Sequence, residues 1–467
     1  MNKRWFGRAC VAGVVMGLAQ AAVAAVSAEE AKKLGSTLTE FGAEKAGNAD
    51  GSIPAYTGGI SAPTGYKKGD DLYVDPFKDE KPLYTIDTSN MERYSAVLTE
   101  GAKAMLKQLP SYRLDVYKTH RSVRYAPWVL ENTLKNASSA KLEGDVEGDS
   151  MSGADAGGLP FPGVPFPIPK TGYEVMWNHK LRFGPAVMHS AVAAWLVDAS
   201  GTPSPLPTTT SAVLHPWYDQ SGKLRKETFD AVFGFSSPLT SPPSSAGVHF
   251  LGYYLANSAE GGQKMWFYTP GQRRVRSAPE FNYDIPIASY GGVMLWDELY
   301  GFVGRMDRFD FKLVGKKDLI VPYNAFKVTN GMASKDTLDA KHMKPEVLRW
   351  EKHRVWVVEA TRKAGARHAY SKRTFYVDED SWGIVSSESY DDAGKLWRVN
   401  NIYSFPTYDI GGVNDIAWST NDLIKGNYFV VDIGGKDPGG FYRSYPSAEG
   451  VPGLKLTPQS VAAGSAR

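Results

Sequence analysis

Signatures of known chemistry are what this chain lacks. No G-x-S-x-G nucleophile elbow occurs, since Gly234-Phe-Ser-Ser-Pro238 has no closing glycine. There is no H-E-x-x-H, no G-x-G-x-x-G and no phosphate-binding loop. The histidines (His120, His179, His189, His215, His249, His342, His353 and His368) are scattered singly, with no pair at helical metal-ligand spacing. Each reads as a hydrogen bonder of the sheet surface or core. Cysteine occurs once, as Cys10, so the chain beyond it has neither disulfides nor thiol chemistry. Asp378-Glu379-Asp380 offers the hard oxygens calcium prefers, but nothing nearby supplies the rest of a calcium loop, and a solvated turn is expected. Asp307 and Asp310 mimic a glycosidase pair, yet Arg305, Arg308 and Lys312 alternate with them as in cross-strand ion pairing. No catalytic residue, metal or cofactor is assigned.

Charge of one sign is missing too, once the N-terminus is set aside. Lys3, Arg4 and Arg8 precede an apolar run from Ala9 to Leu18, and Ala22-Val23-Ala24 offers a small-residue cleavage site. This pattern predicts a secretory signal peptide over residues 1–24, too short for a membrane span. Cys10 lies inside the apolar run, without a lipobox, so lipidation is not expected. Without those three basic residues the chain carries 50 Lys+Arg against 50 Asp+Glu, which leaves no electrostatic case for nucleic acid. The expected location is the periplasm of a Gram-negative cell, with outer-membrane association as a further option.

What the chain has in quantity is turn residues and aromatics: 47 Gly, 29 Pro and 12% Phe, Trp and Tyr. Residues 25–142 are expected to be helical and irregular. Helical periods cover 28–46 and 91–109, and Pro127 is suited to the first position of a third helix. Residues 143–170 form a Gly/Pro-rich loop whose Pro-Phe-Pro repeats favour extended backbone. Residues 171–444 read as an antiparallel meander, with strands including 191–197, 211–218, 223–235, 248–257, 263–268 and 273–276. Leu295 to Phe302 is a short helix candidate, and 445–467 a flexible tail. The clearest part is 349–405, where four strand-like runs are separated by turns at 363–366, 378–381 and 391–394. Several strands are apolar on both faces, which demands cover on each side. The fold class is therefore α+β and β-rich: a large curved antiparallel sheet covered by helices and long loops.

Four long segments carry a family resemblance: GADAGGLPFPGVPFPIPKTGYEVMWNHKLRF (153–183), YTPGQRRVRSAPEFNYDIP (268–286), GRMDRFDFKLVGKKDLIVPYN (304–324) and RWEKHRVWVVEATRKAGARHAYSKRTFYVDEDSWGIVSSESYDDAGKLWR (349–398). The chain resembles the bacterial domain-of-unknown-function family 1329, commonly labelled outer membrane lipoprotein-sorting protein. That resemblance implies a half-barrel of the LolA/LolB lipoprotein-carrier type around an apolar cavity, with no established catalytic residues. It also implies an RND-type (MMPL-like) exporter and an outer-membrane protein as partners.

The leading expectation is a carrier or binding protein for a hydrophobic ligand such as a lipid, a terpenoid, a sterol-like compound or lipoprotein acyl chains. Aromatic strand residues give an amphipathic wall for it. The ligand-facing candidates are Trp177, Trp266, Tyr268, Trp356, Phe375, Trp382 and Trp397. The lid candidates are Phe161, Phe166 and Ile168 in the Pro-rich loop, and Leu295, Trp296 and Phe302 in the short helix candidate. Two alternatives stand beside it: an envelope-lipid or polyester hydrolase using a group such as His353 or Asp307, and a structural envelope protein without ligand.

Overall fold

A computed structural model describes residues 26–144, 146–257 and 261–464. The expected signal peptide lies outside the described residues. The strands are β1 (Tyr84–Ile86), β2 (Leu114–Val116), β3 (Lys141–Glu143), β4 (Ser150–Ser152), β5 (Val187–Val197), β6 (Pro203–Pro205), β7 (Thr208–Leu214), β8 (Ala231–Ser241), β9 (His249–Leu255), β10 (Gln263–Thr269) and β11 (Arg274–Ser277). They continue with β12 (Phe309–Pro322), β13 (Trp350–Arg362), β14 (Lys372–Asp378), β15 (Ile384–Tyr390), β16 (Leu396–Ile402), β17 (Phe405–Pro406), β18 (Val413–Asn414), β19 (Trp418–Asp422), β20 (Asn427–Ile433) and β21 (Phe441–Tyr445). The α-helices are α1 (Ala28–Ala31), α2 (Glu100–Gln108), α3 (Pro127–Ser139), α4 (Gly172–Lys180), α5 (Lys223–Glu227) and α6 (Pro458–Gly464).

Seventeen strands join one open sheet, β-rich and curved as expected. Its spine is antiparallel and runs β12-β13-β14-β15-β16-β19-β20-β5-β7-β8-β9-β10-β11. Strand β2 meets β13 in parallel, through a bridge from Trp350 to Val116. Register shifts at Leu313/Gly315, Tyr376/Val377, Ser389/Tyr390 and Val430/Ile433 insert bulges. Each adds local twist and bends the sheet around its inner face. Strand β12 is thus one long strand, bulged in the middle.

The element that most shapes the inner face has no amphipathic period in the sequence. In α4 all nine residues are buried, Asn178, His179 and Lys180 included. A helix buried all round shows no amphipathic period, so pattern reading passes over it. Its start is well specified, because Thr171 and Glu174 form a reciprocal capping box. Gly172 is required there, since a Cβ would lie 2.5 Å from the Phe311 carbonyl of β12. Trp177 is fully buried, and its Nε1–H donates to the Gly148 carbonyl at 2.8 Å. Pro127 does occupy the first turn of α3, whose buried residues Val129, Thr133, Asn136 and Ala137 share one face.

Several local expectations are corrected. Residues 28–46 form only the single turn of α1, followed by turns. The period over 91–109 splits into a 3-10 helix (Met91–Val97) and α2, because Thr99 turns extended and caps Ala102 N–H at 3.0 Å. Residues 223–227 are α5 rather than strand. Leu295 to Phe302 holds only a 3-10 turn, Trp296–Glu298. The C-terminal segment, expected to fray, buries Leu456 and Val461 in an outer cluster with Leu251, Tyr253, Leu255 and Tyr268. The turn Asp378-Glu379-Asp380-Ser381 is not solvated; all four residues are at most 4% exposed. Arg121, Arg354 and Lys316 supply the compensating charge there.

Trp177→Ala should cost about 3–5 kcal/mol of stability, the usual range for deleting a large buried aromatic ring. Urea unfolding followed by far-UV circular dichroism measures it, and a loss below about 1 kcal/mol would mean that α4 does not organise the inner face.

Candidate functional site

The inner face of β7–β9 and the segment that crosses it form an apolar seam. Phe235, Leu239 and Phe250 come from the sheet, and Ile287, Tyr290, Trp296, Leu299 and Tyr300 from the crossing segment. Strand alternation aims these side chains: on β9 and β10, Phe250, Tyr254, Met265 and Phe267 join the inner core, while Leu251, Tyr253, Trp266 and Tyr268 join the outer cluster. The cavity between sheet and crossing segment is partly open and about 40 Å³ in volume, far too small for a lipid.

The crossing segment behaves as a separate hairpin. Pro286 bridges Leu295, Ile287 N–H donates to the Met294 carbonyl at 2.8 Å, and Trp296 N–H to the Ile285 carbonyl at 3.1 Å. Gly291 and Gly292 form its tip, both at φ 68°, a conformation glycine adopts without penalty. Among the described residues, 285–296 make no hydrogen bond to the sheet. Their hold on it is aromatic. Tyr290 lies 5.2 Å from the Phe429 ring and Trp296 6.2 Å from Phe250, while Trp296 also stacks on Phe281 at 4.9 Å.

Directly after this flap comes a rigid anchor. Asp297 Oδ2 accepts from Arg373 at 3.1 Å and bonds His368 at 3.0 Å. Glu298 accepts from Tyr370 at 2.7 Å and Arg398 at 3.3 Å. Burial pushes the Asp297 carboxyl up, but the Arg373 and His368 charges outweigh it and hold the group below its ordinary value. The flap is therefore tied at both stems, by Asp297 and Glu298 on one side and by Tyr283 to Asp307 and Asp284 to Arg308 on the other, and rests on apolar contact between them.

The Pro-rich loop is fastened differently. Asn136 accepts from Phe161 N–H at 2.8 Å and donates to the Phe161 and Val164 carbonyls at 2.9 and 3.2 Å. Asn178 of α4 grips Phe166 in the same two-way manner, at 2.9 and 2.7 Å. Phe166 is buried, whereas Phe161 and Ile168 are half-buried. Of the six lid candidates, then, Phe161, Phe166 and Ile168 belong to a stitched strap, and Leu295, Trp296 and Phe302 to the flap and its base.

The seven ligand-facing candidates are not brought to one place. Trp177, Phe375 and Trp382 are fully buried in the inner core. Trp382 donates its Nε1–H to the Phe41 carbonyl at 3.0 Å, and half-buried Trp356 stacks on it at 6.1 Å. Phe375 packs against Phe302 at 5.5 Å, at the base of the flap. Trp266 and Tyr268 lie on the outer side, under the C-terminal segment. Trp397 is half-buried, with its Nε1–H on Asp422 at 2.9 Å. The seam residues Phe235, Phe250, Tyr290 and Tyr300 went unnoticed in the sequence. The signal that finds them is strand parity on β8 and β9 combined with the Gly-Gly tip.

Two of the hydrolase candidates are accounted for structurally. Asp307 accepts from the Tyr283 hydroxyl at 2.7 Å, and Asp310 is exposed on β12 near Lys363 at 3.9 Å. His353 lies in the buried acidic turn cluster, away from the residues lining the seam. Among the described residues no helix is long and apolar enough to cross a membrane.

The comparisons agree with the sequence resemblance. A family model described as a protein of unknown function (DUF1329) matches residues 85–461. The chain belongs to this family. An uncharacterised protein of Pseudomonas aeruginosa is 35% identical over 447 residues, covering 92% of this chain and 93% of that protein. Among solved structures, a domain described as an outer membrane lipoprotein-sorting protein from Vibrio parahaemolyticus is similar at TM-score 0.41 and 14% identity, covering 62% of this chain and 97% of its own. A DUF1329 family protein from Desulfovibrio piger matches at TM-score 0.38 and 15% identity, over 58% and 91% of the two chains. A LolA superfamily protein from Nitrosomonas europaea matches at 0.33 and 12%, over 56% and 91%.

One buried acid lies behind the seam. Asp432 sits in the β20 bulge at φ 56°, and its charge acts on the Tyr290 and Tyr300 phenols. Burial pushes its carboxyl up to about 8. Between the ordinary carboxylate range and that value the folded state holds a proton that the unfolded chain has released, so stability falls as pH rises across this window. Asp432→Asn, which keeps shape and tolerates positive φ, should remove that slope. Urea unfolding at pH 5 and pH 8 tests it: the variant should gain on the wild type at pH 8 and match it more closely at pH 5.

Proposed function

We propose that this protein is a carrier for a hydrophobic ligand, a lipid or lipid-sized apolar compound, taken up between the inner face of β7–β9 and the flap. The observation that supports the reading most directly is the flap itself. It covers an apolar wall, hydrogen-bonds only within itself and its base, and is anchored at Asp297 and Glu298. Lifting it breaks no backbone hydrogen bond to the sheet. The seam as it stands is too small for a lipid, so the flap must move for a ligand to enter. Each methylene then buried contributes about 0.8 kcal/mol, from which the cost of opening is subtracted.

The export signal expected in the sequence fits a periplasmic site of action. The RND-type exporter and outer-membrane protein implied by the family resemblance supply donor and acceptor for such a cargo. No constellation of nucleophile, base and oxyanion donors lines the seam, so the carrier reading is preferred over the hydrolase.

The test uses protein purified from periplasm. Native mass spectrometry should show a stoichiometric apolar adduct, and the delipidated protein should bind the fluorescent probe N-phenyl-1-naphthylamine. Ser237→Glu places a carboxylate in the seam wall and should weaken probe binding at least tenfold. Leu134→Glu, on the exposed side of α3, should leave it unchanged. A protein that purifies empty and takes up no probe, or one in which both variants weaken binding alike, would rule out the seam as a carrier site.

A further inference from the structure

The acidic turn after β14 holds a second constellation, on different residues from the seam. Four carboxylates converge there, Glu351, Asp378, Glu379 and Asp380, each at most 2% exposed. Three of them are neutralised directly. Arg349 contacts Glu351 at 2.5 Å, while Arg354 and Lys316 contact Glu379 at 2.7 and 2.8 Å. Arg121 grips Asp380 with two bonds, of 2.8 and 2.6 Å. Asp378 is the exception. Its Oδ2 accepts from the Tyr323 hydroxyl at 3.0 Å and from Ser381 N–H at 2.8 Å, but among the described residues no lysine or arginine lies within ion-pairing distance of it. Its Oδ1 is buried with no hydrogen-bond partner.

What Asp378 Oδ1 faces is His353 Nδ1, at 3.9 Å. The other ring nitrogen, Nε2, lies 3.1 Å from Glu351 Oε2, an ionised carboxylate that only accepts, so Nε2 carries the proton in the neutral ring. Nδ1 therefore presents a lone pair towards a carboxylate oxygen that also presents lone pairs. Two acceptors facing one another in a buried site repel unless a proton or a cation lies between them. A separation of 3.9 Å is too long for a shared proton. An ion bound to both atoms at about 2.0–2.2 Å fits between them at a wide angle, and an approach of roughly 0.5 Å brings them to tetrahedral spacing. An Asp380 oxygen completes the group, with one ligand atom from each of the three residues lying within 4.8 Å of the others. The Glu351–His353 pair is also the carboxylate–histidine arrangement that orients metal-bound imidazoles.

We propose that His353, Asp378 and Asp380 form a buried structural site for a divalent cation of the zinc or manganese class. One imidazole with two carboxylates suits those ions better than calcium or magnesium, which prefer all-oxygen shells. Asp380 already carries Arg121, which reaches back to the Glu44 carbonyl at 2.8 Å. The ion thus ties β13 and the β14–β15 turn to the N-terminal segment rather than serving the seam.

The test is made on the full exported chain, purified without chelator. Elemental analysis should find about one equivalent of zinc or manganese. After EDTA treatment and dialysis, adding zinc chloride or manganese chloride should raise Tm by several degrees. Asp378→Asn and His353→Gln should bind at least tenfold more weakly. If these variants fail to fold, Glu351→Gln keeps all three ligands and should lower affinity by about 10–100-fold, the usual effect of losing a histidine-orienting carboxylate. A crystal measured at the zinc or manganese absorption edge should show an anomalous peak within bonding distance of His353 Nδ1. The proposal is overturned by wild-type protein without metal that does not respond to either salt, by equal metal binding in Asp378→Asn, or by a water-like peak without anomalous signal. None of these readouts depends on ligand uptake.

Discussion

Charges taken into the interior must be met there, and that constraint organises the whole molecule. A sheet covered on both faces has no solvent to hydrate polar groups on its strands. Here the strand arginines Arg373 and Arg398 meet Asp297 and Glu298 of the crossing segment, Arg182 meets Asp415, and Arg121 meets Asp380. Each pair joins parts far apart in sequence, so the pairs act as fasteners between sheet and cover. Removing one partner would leave a charge buried alone, which is why such pairs specify geometry even where their net stabilisation is small.

The two covers of the inner face follow from that principle in different ways. The Pro-rich strap is bound through amide side chains of α3 and α4, both of which pack on the core. The flap has charged residues only at its base, and its span is apolar. A cover fastened along its length cannot yield locally, whereas one fastened only at its two stems can yield at its tip. The distinction between a fixed wall and a movable one is written in where the polar contacts fall.

Much of this architecture was legible in the sequence. The turns at 363–366 and 391–394, the alternation of β13 to β16 and the two-faced apolar strands all read directly as a wide antiparallel sheet. What escaped had physical reasons. Helix α4 is buried all round, so it lacks the period by which a helix is recognised. The 378–381 turn has the composition of a solvated loop, and only tertiary contacts from Arg121, Arg354 and Lys316 allow it to be buried. Tryptophans on strands have the pattern of a ligand wall, yet Trp177 and Trp382 serve the core and Trp266 the opposite face. The seam depends on Phe235 and Phe250, ordinary strand residues whose facing is set by register. The family's long motifs were specific, but no residue in them marks the seam.

The aromatic hold on the flap also has a thermal consequence. Contacts made by removing apolar surface from water carry little enthalpy near room temperature and a large heat-capacity change. A closure held by Ile287, Tyr290 and Trp296 rather than by hydrogen bonds therefore loosens on cooling, unlike the hydrogen-bonded strap beside it. The two covers of one sheet face should respond to temperature unequally, so that in a cold environment the flap rests more open while the strap stays fixed.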